Sequence, residues 1–96
     1  MIVAIHPSAA DEIEAAARLG EERSLGLGSA LVIELRRVAA LLSEFPDLGQ
    51  LLDDRHRRFP LRRFPFGVIF RVDGDTLTIV ALAHRRQQPG YWVHRR

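Results

Sequence analysis

Cysteine is absent from this chain. No disulfide or thiolate metal site is therefore possible, and a reducing cytoplasm is the setting that fits. No apolar run approaches the roughly 18 residues that a membrane span needs, so no membrane partner is expected. The opening MIVAIHPS is too short and too uncharged for a signal peptide, which again points to the cytoplasm. No Gly-rich phosphate loop joins a strand to a helix. His6, His56, His84 and His94 do not stand at metal-ligand spacings. Ser8, Ser24, Ser29 and Ser43 fall in expected caps or helices, away from any nucleophile-elbow pattern. No acidic pair sits at a strand end as glycoside chemistry would need. The expectation is a protein without metal or small-molecule cofactor, and not a nucleotide-dependent or acyl-transfer enzyme.

Lysine is missing too. All fourteen basic residues are Arg, the side chain suited to planar recognition of phosphate or carboxylate. The net charge of +2 conceals an asymmetry. Residues 1–48 carry four Arg and eight acids, net −4, whereas residues 49–96 carry ten Arg and four acids, net +6. A basic second half points to a nucleic-acid or acidic-protein partner. With 96 residues and 47% apolar composition, the chain reads as one globular domain able to bury a core unaided.

What is present centres on Phe59–Ala83, which holds three runs with strand chemistry. They are Phe59–Phe64, Phe66–Val72 and Thr76–Ala83, separated by Pro65 and by Asp73-Gly74-Asp75. Asp-Gly between β-branched and aromatic runs signals a hairpin, because Gly accepts the positive φ of a tight turn. Alternation puts Phe66, Val68, Phe70 and Val72 on one face, with Leu77, Ile79, Ala81 and Ala83 as the matching set. Such a face needs a cover.

The upstream half supplies it. Ile2–Ile5 reads as a first strand covered on both faces, since its residues do not alternate. Ser8 followed by Asp11 resembles a capping box and predicts a helix start. Ala9, Ile13, Ala16, Ala17 and Gly20 share one face of small side chains, which predicts close packing on the next helix. Glu12, Glu14, Arg18, Glu21 and Glu22 fall elsewhere. After Leu25–Ser29, a second helix over about 29–44 carries the stripe Leu31, Leu35, Val38, Leu42 and Phe45. Leu19 and Ile33 lie among charged residues, either as ordinary exposed apolar side chains or as a docking patch. Pro46–Asp54 reads as a loop with a turn of helix. The tail His84–Arg96 reads as too Arg-rich and too broken to be a core element. The order is strand, helix, helix, strand, strand, strand: an α+β fold in which a helical hairpin packs on a small twisted antiparallel sheet.

Candidate chemistry gathers around arginine. Arg58, Arg62 and Arg63 belong to the first meander strand, Arg71 to the second, and His84, Arg85 and Arg86 follow the third. A surface formed by some of these would bind phosphates. RNA cleavage there would need a base, a charge stabiliser and an acid. Arg supplies the second role, and His84 and Tyr91 are the nearby candidates for the others. The plainer alternative is that the arginines solvate an open sheet face. Tyr91 and Trp92 read either as a stacking platform for bases or, preferably for Trp92, as an anchor pinning the tail.

The element order, the segment RRFPLRRFPFGVIFRVDGDTLTIVALAH and the ending AHRRQQPGYW resemble the RelE/ParE superfamily of bacterial toxins. The resemblance implies a toxin of a type II toxin–antitoxin pair, with a cognate antitoxin whose flexible segment wraps it by a helix in a groove or a strand on an edge. RelE-like members cut mRNA on the ribosome, and ParE-like members poison DNA gyrase. RelE-like chains carry an Arg in the second meander strand where this one reads Gly67, whereas the His-Arg-Arg ending resembles ParE-like chains. The first expectation is therefore a ParE-like gyrase inhibitor working by protein–protein contact. The alternatives are a metal-independent ribosome-dependent endoribonuclease using Arg63, Arg71, His84, Arg86 and Tyr91, and an inactive toxin that keeps its antitoxin. Leu19, Ile33, Arg62, Arg85 and Trp92 are the expected partner contacts.

Overall fold

The first strand and the last strand of this chain are neighbours. The computed structural model describes residues 1–96. Its elements are β1 (Ile2–Ile5), α1 (Pro7–Arg23), α2 (Leu27–Glu44), a 3₁₀ turn (Pro46–Leu48), β2 (Gln50–Leu51), β3 (Arg57–Pro60), β4 (Phe66–Asp73) and β5 (Thr76–His84). The sheet runs β1-β5-β4-β3-β2, with β1 parallel to β5 and the other pairs antiparallel. The α+β class and the helical hairpin on a sheet are as expected. The two-residue β2 is an addition, and β1 makes the sheet mixed rather than antiparallel throughout.

β1 is an edge, not a strand covered on both faces. Ile2, Val3 and Ile5 are 65%, 40% and 48% exposed, and only one side of the strand has a partner. Its apolar run reflects an uncovered margin, which composition cannot tell from a buried one.

Local chemistry sets the helices. His6, not Ser8, caps α1: its Nδ1 accepts from the Ser8 N–H at 3.0 Å, and Pro7 takes the first helical position. Glu21 caps α2, accepting from Gly26 N–H at 2.9 Å and Gly28 N–H at 3.0 Å. The helices approach as closely as the small-residue face predicts. A Cβ on Gly28 would fall 2.5 Å from the Ala17 carbonyl oxygen. Leu31, Leu35, Val38 and Leu42 are buried, but Phe45 is 55% exposed. The chain has left the helix by Phe45 (φ −133°), so the stripe no longer governs where it points.

The hairpin turns at Gly74, φ 58°. The strand expected over Phe59–Phe64 stops at Pro60, and Leu61–Pro65 forms an arch closed by Leu61 N–H to Phe66 O at 2.9 Å. Proline offers no ladder donor at that point.

The face assignment on β5 reverses midway. Ile69 pairs with Ala81 and Phe70 with Ile79, which leaves Val80 as an extra residue in a bulge. Before it, Leu77 and Ile79 face the helices, in one cluster with Val68, Phe70, Leu31, Val38 and Leu42. After it, Leu82 faces the helices, while Ala81 and Ala83 turn to the opposite, far face. Both faces are thus covered. On the far face Trp92, 6% exposed, packs with Ile69, Val80, Ala81 and Ala83. The tail is a core element after all, because its aromatics compensate for its arginines. Burying a side chain of this size is worth about 3 kcal/mol.

Candidate functional site

Past Ile5, β1 leaves the flank of β5 unpaired, and a polar clamp closes it. Glu12 on α1 accepts from Leu82 N–H at 3.1 Å and from Arg95 Nη1 at 2.8 Å through Oε1. Its Oε2 accepts from Arg95 Nη2 at 3.0 Å and from the Tyr91 hydroxyl at 2.8 Å. Arg95 also donates to Val80 O at 3.0 Å and lies 5.1 Å from the Tyr91 ring centre. Burial alone would raise the Glu12 pKa, but donation from Arg95, Tyr91 and Leu82 outweighs it and holds the carboxyl below its ordinary value. The Tyr91 phenol is pushed up to about 12, first by burial and then by its bond to Glu12 and that carboxylate's charge. Sequence reasoning missed Glu12 and Arg95. The signal was that Glu12 sits three residues after buried Ala9 and four before half-buried Ala16, inside the apolar stripe, where a carboxylate needs a partner.

The tail, the far face of the sheet and the loop before β3 enclose a cleft of about 660 Å³. Ile69 and Ala83 floor it, Trp92 and Leu52 wall it, and Arg58, Asp53 and Arg85 reach it. Asp53 organises the loop by accepting from Arg55 N–H at 2.8 Å and His56 N–H at 2.6 Å, and it meets His56 Nδ1 at 3.0 Å. Burial would raise the Asp53 pKa, and these bonds instead hold it below its ordinary value. Buried His56 in turn packs on Trp92, with ring centres 4.7 Å apart. Its Nε2 is buried without a partner. No three His, Asp or Glu side chains converge closely enough to hold a metal ion.

The expected arginine surface assembles only in part. Arg62 and Arg63 are exposed in the Leu61–Pro65 arch, and Arg63 holds φ 67°. Arg85 N–H donates to Pro65 O at 2.9 Å, so this arch adjoins exposed Arg85 and Arg86. His84 stands there too, its Nδ1 accepting from Arg86 N–H at 3.1 Å and its ring edge-on to Phe66. Arg71 does not join them. It lies five residues along β4 from Phe66, about 17 Å away, and is 8% exposed. Its Nε donates to Asp73 at 3.2 Å and its Nη1 to Arg95 O at 3.3 Å. Trp92 is buried rather than presented to a partner.

Leu19 and Ile33 are 50% and 65% exposed but on different surfaces. Leu19 borders a small recess with Phe64 and Phe66. Ile33 lines an open groove of about 880 Å³ between α1 and α2, with Ile5, Ile13, Ala17 and Val32. Arg18, Arg36, Glu14 and Glu21 rim that groove. No helix of the protein is long and apolar enough to cross a membrane.

A family model described as "ParE toxin of type II toxin-antitoxin system, parDE" matches residues 3–89. Among solved structures, the chain superposes with a TM-score of 0.75 on one described as "Chromosomal ParDE TA system from P. aeruginosa". Identity is 19%, over 88% of this chain and 95% of that one, which speaks for the fold alone. No curated protein sequence matches significantly.

Proposed function

The chain belongs to the ParE toxin family of type II toxin–antitoxin systems, and from that premise we propose that it arrests growth by binding DNA gyrase, without catalysis of its own, and is neutralised by a cognate antitoxin. The observation that carries this reading is the Tyr91–Glu12 bond of 2.8 Å. It commits the tail's one phenol to a structural clamp, where burial first and the bond to Glu12 second push its pKa up to about 12, far from the neutral range in which a proton-transfer group works best. The other candidates for RNA cleavage are also dispersed. Arg71 is ion-paired at the opposite end of the sheet, and His84 Nδ1 is engaged by the backbone. A surface that binds without reacting fits this arrangement better.

The antitoxin reading rests on a second place. The groove holding Ile33 is apolar, open and bordered by charges of both signs, which suits an amphipathic helix. Beside it, the outer edge of β1 is free to accept a strand. Both the target and the antitoxin place the protein's work in the cytoplasm.

One observation favours the ribonuclease reading. Arg58 projects over Gly67, where an added Cβ would fall 2.5 Å from Cζ. A guanidinium from a neighbouring strand therefore occupies the space that the RelE-like Arg would fill. Phosphate stabilisation is thereby available, but the Tyr91 phenol is committed to Glu12 and His84 Nδ1 to the Arg86 N–H. The two readings separate when purified protein is added to gyrase on supercoiled DNA and, in parallel, to ribosomes stalled on message. Stalled gyrase with intact message supports the proposal. Message cut in the ribosomal A site with gyrase unaffected overturns it.

A further inference from the structure

Five arginines are buried or half-buried: Arg37, Arg57, Arg58, Arg71 and Arg95. Four have acceptors. Arg37 donates to Glu34, Arg57 to Gly49 O, Arg71 to Asp73 and Arg95 to Glu12. Arg58 alone has none, and it takes part in none of the ion pairs. A half-desolvated cation without a counter-charge is unfavourable unless a working complex supplies one.

Gly67 is the second observation. It lies buried within β4 and does not adopt a positive φ, so the backbone does not demand glycine there. Glycine inside a strand weakens it and often marks a close approach by another group. That group is Arg58. A Cβ on Gly67 would fall at nearly equal distances of 2.5, 2.6 and 2.6 Å from Cζ, Nε and Nη2. The missing side chain is what lets the guanidinium lie across the strand.

The cleft around it defines the ligand. A volume of about 660 Å³ is in the range of specific binding sites, roughly 300–1,000 Å³. The floor of Ile69 and Ala83 is apolar, and Arg58 is a planar fork that matches a carboxylate with two parallel bonds. Asp53 borders the same space, and its charge disfavours a dianionic phosphate monoester. Between the two monoanions, a backbone phosphodiester and a carboxylate, the apolar floor favours a carboxylate carried on an apolar segment. The helical groove lies on the other side of the sheet, so this cleft is a separate surface from the one assigned to the antitoxin.

We infer that the cleft receives an acidic side chain of the toxin's target, an Asp or Glu carried between apolar residues, with Arg58 as its two-pronged donor and Gly67 as the seat that aims it. The inference rests on the gyrase reading above. It makes Arg58 the specificity residue of the target contact and leaves Arg62, Arg63 and Arg86 as peripheral charges.

The test compares wild type, Arg58→Ala, Arg58→Lys and Gly67→Ala in gyrase inhibition on supercoiled DNA, in antitoxin binding and in thermal unfolding. Gly67→Ala keeps the charge but pushes the guanidinium off its seat, a displacement that a flexible side chain absorbs without unfolding. All three variants are expected to lose about tenfold or more in inhibition, with Lys failing because an ammonium cannot form the fork. Antitoxin affinity and unfolding midpoint should stay at wild-type values. Full inhibition by Arg58→Ala overturns the inference alone. Parallel loss of antitoxin affinity also overturns it, since the acid would then belong to the antitoxin. Message cleavage by the wild type that disappears with Arg58 overturns it in favour of a phosphate ligand. A wild-type protein without effect on gyrase overturns the functional reading and this inference together.

Discussion

Glu12 and Arg95, 83 residues apart, meet in a two-bond fork of 2.8 and 3.0 Å. Their side chains are only 23% and 17% exposed, so the pair is shielded from water and salt far better than a surface ion pair. The fork ties the tail to α1 and caps the part of β5 that β1 does not reach.

Glu12→Gln is therefore expected to cost about 2 kcal/mol, the scale of hydrogen bonds to a charged group. That corresponds to a fall of about 10 °C in unfolding midpoint for a domain this small. Arg95→Gln should cost a similar amount. The double variant should cost clearly less than the sum, because each single change already removes the shared bonds. Calorimetry on the four proteins checks this, and additive losses would count against the fork.

Tyr91 is the single tyrosine, so its ionisation is readable by ultraviolet absorbance. The phenol should titrate near 12 in the native protein and move back toward its ordinary value in Glu12→Gln. Tyr91→Phe should still arrest growth. A general acid lost from a ribonuclease would instead cost about a hundredfold or more in cleavage rate.

Acid should loosen the fold in a defined direction. Arg37 holds Glu34 below its ordinary value against the opposing effect of burial, helped by the Arg62 N–H. At Glu12 and Asp53, burial is likewise outweighed by donated bonds. Depressed carboxylates bind fewer protons folded than unfolded. Their contribution is complete above the unfolded value of 4.5 for Glu and 3.8 for Asp and is lost as pH falls through the folded values. Urea unfolding at pH 7, 4.5 and 3.5 should show that decline. In Glu12→Gln the decline should be shallower from a lower start.

Trp92 is the single tryptophan and is 6% exposed. Trp92→Ala should cost about 3–5 kcal/mol. In the wild type its fluorescence should be blue-shifted and move red in the same transition that melts the sheet. An earlier, separate red shift would mean that the tail detaches by itself.

Ile33 is 65% exposed and supports nothing beneath it. Ile33→Glu should leave stability within about 0.5 kcal/mol of wild type while weakening antitoxin capture in co-expression. Equal capture would move the antitoxin to another surface.

The legible parts of this fold were those set by repeating local patterns. The Leu31–Leu42 stripe, the Asp73–Asp75 turn and the meander all follow from periodicity and turn chemistry. What stayed hidden was decided by contacts between distant residues. The Val80 bulge flips Ala81, Leu82 and Ala83 to faces opposite those that strict alternation assigns. Whether Ile2–Ile5 was an edge or an interior strand depended on which strand it met. At the site, the arginines were visible as a set, but only the pairing registers place Arg58 opposite Ile69, where its guanidinium reaches back over Gly67, while Arg71 on the next strand turns to Asp73 and the Arg95 carbonyl. Glu12 had the one readable clue, a carboxylate within an apolar stripe, and its partner lay in a tail that composition alone made look peripheral.

The pairing of Ile2–Ile5 with Thr76–Ile79 also governs timing. During synthesis, the residues made first must wait for residue 79 before gaining a neighbour, and Glu12 must wait for residue 95. Long-range closure of this kind comes late in folding. A nascent chain thus carries no finished cleft until its tail through residue 95 has emerged, so the surface that would meet a partner exists only after this whole segment has been translated.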